Sequence, residues 1–98
     1  MKKINAQSDL IFDVVLGFTP KEIEQVTAIE LYIYTTDKNT TIAKTMEDFQ
    51  NWQLVIDSSE LATLASGIIN CDYIIKKLEG ENEIEISDNI CLGIYLKN

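Results

Sequence analysis

The sequence predicts an all-β chain: an antiparallel β-sandwich, immunoglobulin-like or jelly-roll-like, of about seven strands with one short helical turn. Three observations predict it. Apolar residues recur at every second position through most of the chain, the period of a strand with one face buried. Turn-forming residues interrupt these runs at short intervals. No repeated helical pattern separates the runs, as a parallel α/β sheet would require.

The first run is the clearest. Leu10, Phe12, Val14, Leu16 and Phe18 alternate over residues 9–18 and line one side of a strand. Thr19-Pro20-Lys21 ends it, because proline fixes φ and has no N–H to give to a ladder. A loop through Glu22 to Gln25 is expected next. In residues 26–36, Ile29, Leu31 and Ile33 form an inward set, and Glu30, Tyr32 and Tyr34 take the other face. Asp37-Lys38-Asn39-Thr40 reads as a turn into a short strand over residues 41–44, and residues 45–51 read as irregular. Trp52, Leu54 and Ile56 alternate again.

Ser58-Ser59-Glu60-Leu61-Ala62-Thr63-Leu64 is the expected helical turn. Asp57 or Ser58 would cap it, Glu60 suits the positive first turn, and Gly67 would terminate it. Ile69, Cys71, Tyr73 and Ile75 alternate next, with Asn70 and Asp72 between them. Glu79-Gly80-Glu81-Asn82 is a hairpin signal built on Gly80, followed by a return strand over residues 83–87. Ile90, Leu92, Ile94 and Leu96 are expected on one side of a last strand. Residues 1–8 read as a flexible N-terminal arm and residues 9–98 as a single sandwich domain.

Composition narrows the function. Eight lysines face sixteen acids, for a net charge of −8, which argues against nucleic-acid backbones and anionic membrane surfaces as partners. The chain has neither histidine nor arginine, so it lacks the commonest metal ligand and the bidentate anion clamp. Cys71 and Cys91, twenty residues apart, cannot close a zinc site alone, and are read as reduced, small apolar core residues. Gly17, Gly67, Gly80 and Gly93 are scattered and build no phosphate loop. Ser58, Ser59 and Ser66 have no histidine to activate them. No catalytic residue, metal site or cofactor is therefore expected. The start of the chain has charge but no apolar run behind it, so no signal peptide is expected. The longest apolar stretch, Leu10 to Phe18, is broken by Asp13 and too short to span a bilayer.

What remains is apolar surface. Ile11, Val15, Tyr32, Tyr34, Val55, Ile68 and Ile74 fall opposite the inward sets and are the expected protein-interface residues. Exposed sheet edges offer a second route to partners.

One run carries a family resemblance: Leu54-Val55-Ile56-Asp57-Ser58-Ser59-Glu60-Leu61-Ala62-Thr63-Leu64-Ala65-Ser66-Gly67, then Cys71-Asp72-Tyr73. It resembles the strand, helical turn, L-x-x-G and following strand of the phage baseplate upper protein N-terminal domain. Ser8-Asp9-Leu10-Ile11-Phe12 is similar to that domain's first strand, and Gly93-Ile94-Tyr95-Leu96 to its last. The pattern departs at Ile69 and Cys71, where the family strand usually carries tyrosines, and the match extends to no receptor-binding domain. The resemblance implies a β-sandwich that attaches fibres or decorations to a phage particle, similar to head-fibre and capsid-decoration proteins of crAss-like phages. It carries over no catalytic residues.

The expectation is thus a non-catalytic virion protein, made in the host cytoplasm, that forms a dimer or trimer. Its expected place is as a head fibre, capsid auxiliary or baseplate attachment docked on other virion proteins. The alternative is a carbohydrate- or peptide-binding sandwich, with Trp52, Tyr32, Tyr34 and Tyr95 as candidate aromatic platforms.

Overall fold

The computed structural model describes residues 3–5, 8–13, 19–36, 40–49 and 52–96. The described chain is mostly β. Seven strands run in the order β1 (Lys3–Asn5), β2 (Leu10–Asp13), β3 (Val26–Thr35), β4 (Thr41–Thr45), β5 (Gln53–Ile56), β6 (Gly67–Glu79) and β7 (Asn82–Leu96). Two short helices, α1 (Pro20–Glu24) and α2 (Ser58–Leu61), and a 3-10 turn at Met46–Asp48 complete it.

The strands form a five-stranded sheet, ordered β1-β7-β6-β3-β4, and a two-stranded sheet of β2 and β5. Every pair is antiparallel except β1 with β7, so the large sheet is mixed and not purely antiparallel as expected. The exception lies in the segment read as an arm. Ile4 sits opposite Tyr95 and is only 5% exposed, so its burial docks Lys3–Asn5 as an edge strand.

The long hairpin of β6 and β7 dominates the shape. Thirteen residues at about 3.4 Å each span roughly 44 Å, which accounts for most of the 49 Å long axis. Gly80 and Glu81 make its two-residue turn, with φ +66° at Gly80 and no positive φ at Glu81, the pattern of a type II′ turn. The expected strand over residues 83–87 and the last strand are one continuous β7.

Inside β7 a bulge changes the phase. Asn70 pairs with Cys91 and Ile69 with Gly93, which leaves Leu92 as an extra residue. Ile90 and Leu92 pack on the core as expected, but beyond the bulge Tyr95 is the buried residue and Leu96 is 53% exposed. Ile94 and Leu96 therefore do not belong to the inward set. Period-two reasoning fails wherever the ladder gains a residue.

One core joins both sheets. Leu31, Ile33, Ile69, Cys71 and Ile75 from the large sheet cluster with Leu10, Leu54 and Ile56 from the small one, and with Leu61 and Leu64 from α2 and the turn after it. Leu54 and Ile56 are fully buried while Gln53 and Val55 are exposed, the alternation expected for β5. Trp52 packs against this core from a turn with φ +62°, so β5 begins one residue later than expected. Its ring meets Phe49 at 6.4 Å and 51°.

Both helices follow from their caps. The Asp57 side chain accepts from Glu60 N at 2.9 Å, as expected, but α2 ends at Leu61. Gly67, with φ +146°, opens β6 instead of terminating the helix. The segment read as a loop over residues 22–25 is mainly helical: Glu22 N donates to Thr19 Oγ1 at 3.2 Å, and Thr19 N donates to Glu22 Oε1 at 3.3 Å. Thr19-Pro20-Lys21-Glu22 is a capping box with proline at the first helical position. Among the described residues no helix is long and apolar enough to cross a membrane.

Candidate docking surfaces

The sequence-predicted interface residues separate into two patches. Ile11 and Val55 are cross-strand partners in the small sheet and point away from the core, 52% and 39% exposed. Adjacent side chains of an antiparallel pair meet, so the two make one aliphatic surface. Tyr32, Tyr34, Ile68 and Ile74 lie on the outer face of the large sheet, on the opposite side of the core. Ile68 is 39% exposed, and Tyr32, Tyr34 and Ile74 are half-buried. Val15 lies outside the described residues.

The large-sheet face is built by register. From Ile29 onward the odd-numbered residues of β3 fill the core, which turns Glu30, Tyr32 and Tyr34 outward. Tyr32 then stands between Ala43 of β4 and Asp72 of β6, and Asp72 stands opposite Asn89 of β7. Tyr34 stands between Thr41 and Asn70. The Tyr34 hydroxyl reaches diagonally to donate to Asp72 Oδ1 at 3.0 Å. Asn89 Nδ2 donates to the same oxygen and to the Tyr34 hydroxyl oxygen, the latter at 3.4 Å. The bond to Asp72, with partial burial, raises the Tyr34 pKa and holds its hydroxyl protonated as a donor.

Above this network the small side chains of β4 leave room. Tyr32, Tyr34, Thr41 and Asp72 line a depression of about 240 Å³. Sequence pattern alone gives no reason to single out Asp72, Asn89 or Thr41. Asp72 and Asn70 are visible there as polar residues interrupting an apolar strand, but only the β3–β6 register brings Asp72 beside the tyrosines.

A larger groove of about 580 Å³ lies at the other end of β3, lined by Thr27, Ala28, Ile29, Glu30, Thr45, Met46, Glu47 and Lys76. The 3-10 turn after β4 carries the chain off the sheet here, so β4 pairs only as far as Glu30. A bulge between Val26 and Ala28 frees Thr27 to bond Lys76 O at 3.2 Å and Glu83 Oε2 at 3.3 Å. This groove mixes acid, base and thioether without a convergent set of donors.

Cys71 is fully buried and its thiol is pushed up to about 11, chiefly by burial and then by the Asp72 charge, which makes it a poor nucleophile. Cys91 is exposed, not a core residue as expected, and both cysteines are free thiols. Tyr95 is fully buried, which removes it from the candidate glycan platforms. Among the described residues no three acidic or cysteine side chains gather in a way that could hold a metal ion. No protein-family model matches the chain, and neither a curated protein nor a solved structure matches it.

Proposed function

We propose that the chain is a non-catalytic structural module of a bacteriophage virion. In this reading it is a two-layer β-sandwich that self-associates as a dimer or trimer and docks on other virion proteins as a head fibre, capsid auxiliary or baseplate attachment. The observation that carries the docking part is the Ile11–Val55 pair, two large aliphatic side chains placed side by side in solvent on a sheet that has two strands among the described residues. Such a sheet is marginal on its own, and covering its outer face removes apolar area from water and sheds the hydration cost. The second copy of this chain is the occupant proposed for that face.

The virion part rests on the resemblance noted in residues 54–67. Its order of elements is present: strand β5, a turn capped by Asp57, then Gly67 opening β6. The large-sheet face, with Tyr32, Tyr34 and Ile74, is the surface proposed to meet the virion partner, since tyrosine combines apolar area with a polar tip.

Light scattering over a range of concentrations tests the self-association. A dimer or trimer is expected for the native chain and a monomer for Ile11→Asp; a native chain that stays monomeric at high concentration overturns it. Quantitative mass spectrometry of purified phage particles tests the location. A fixed copy number per particle is expected, and absence from particles sinks the virion reading.

A further inference from the structure

The depression on the large-sheet face has a definite charge character. Among the described residues the ion pairs are Lys44 with Glu60 and Lys77 with Glu22; Asp72 takes part in neither. Lys76, four residues further along the same face, is about 13 Å away by strand geometry and stands opposite Glu85. Asp72 is held instead by two neutral donors, Tyr34 and Asn89, and both bonds end on Oδ1. Its Oδ2 accepts no hydrogen bond among the described residues. A carboxylate oxygen fixed in direction, without a cation among the described residues, beside two tyrosine side chains and the Thr41 side chain is the chemistry that attracts a positive head group.

We propose that Tyr32, Tyr34, Thr41 and Asp72 form a receptor for one lysine ε-ammonium presented by a partner protein. Lysine is favoured over arginine by the oxygen count. A guanidinium fork uses both carboxylate oxygens, and Oδ1 already accepts two hydrogen bonds, whereas a compact ammonium needs only Oδ2. A protein source is favoured by size. At about 240 Å³ the site is smaller than the usual small-molecule pocket and would leave much of a free amine wet. A side chain delivered by a macromolecule brings the surrounding contact with it. The net charge of −8 draws a basic surface toward the chain. The assignment of the ammonium to a protein partner rests on the docking reading above, but the cation site does not.

Titration of the isotope-labelled chain with n-butylammonium chloride at constant ionic strength, followed by amide NMR, tests the site. Saturable shifts centred on Tyr32, Tyr34, Thr41 and Asp72 are expected, with n-butylguanidinium binding more weakly. Asp72→Asn should weaken n-butylammonium about tenfold, the loss of one charge-assisted bond. Tyr32→Ala, which touches none of the hydrogen bonds in the network, should weaken it about threefold and serves if the first variant misfolds. Shifts confined to the acidic hairpin tip around Glu79, Glu81 and Glu83, equal binding by n-butylguanidinium, or affinity unchanged in both variants would each overturn the proposal. A monomeric chain, or one absent from particles, leaves this titration unaffected, so the two failures are distinguishable.

Discussion

Tyr95 stands directly opposite Gly67 across β6 and β7, and the pair joins a fully buried phenol to a backbone of positive φ. Gly67 has φ +146°, a conformation that L side chains rarely adopt, while a Cβ added there would meet only Thr36 Oγ1 at an ordinary 3.7 Å. The requirement for glycine is thus conformational, not a matter of space. Gly67→Ala should destabilise the chain by about 1–3 kcal/mol in urea unfolding. Equal stability of the variant would show that the strand start tolerates a negative φ.

The same register pair exposes a second weakness. The Tyr95 hydroxyl is buried and has no hydrogen-bond partner among the described residues. A buried donor left unpaired loses its hydration without compensation. Tyr95→Phe keeps the ring in the core and should raise stability by about 1 kcal/mol. The midpoint of urea unfolding should rise at unchanged slope; a fall of similar size would mean that the hydroxyl is satisfied.

Tyr95 also marks where the sequence stops being legible. Period-two reading places Leu31, Ile33, Leu54, Ile56, Ile69 and Ile75 in the core, and all are buried. Leu31, Ile33, Leu54, Ile56 and Ile75 lie in strand stretches free of register shifts, and Ile69 keeps its phase because the extra residue of the bulge beside it is in β7 and not in β6. It assigns Ile94 and Leu96 to the wrong face because a bulge leaves no local composition signal strong enough to see. The capping box at Thr19-Pro20-Lys21-Glu22 is legible in its spacing, yet the same proline equally signals the end of a strand, and the two meanings compete. The Tyr34–Asp72–Asn89 network was not readable at all. Its members lie 38 and 17 residues apart in sequence, and only strand pairing joins them.

Leu54 gives the test of the shared core. It is fully buried in β5 and clusters with residues of both sheets and α2. Leu54→Ala removes three buried carbon groups and leaves a void that rigid neighbouring strands fill poorly, so a loss of about 2–5 kcal/mol is expected. Val55→Ala, one residue along and facing solvent, should change monomer stability by less than about 0.5 kcal/mol. If the two variants unfold at the same urea concentration, the phase of β5 is wrong.

The two cysteines separate burial from reactivity. Cys91 lies exposed beside the β7 bulge, whereas Cys71 is fully buried with a thiol pKa of about 11. At neutral pH iodoacetamide should modify Cys91 in the folded chain, and Cys71 only after urea is added, as intact mass will report. The raised pKa also fixes a sign. The folded chain keeps the Cys71 proton where the unfolded chain, with its ordinary value of 9.0, gives it up. The contribution is therefore fully present below about pH 9 and is lost as pH rises through about 11. Cys71→Ala removes that titration and should flatten the alkaline fall in stability over this window. An equally steep fall in the variant would assign the alkaline limb to other groups, with Tyr34 and Tyr73, both raised, as the next to test.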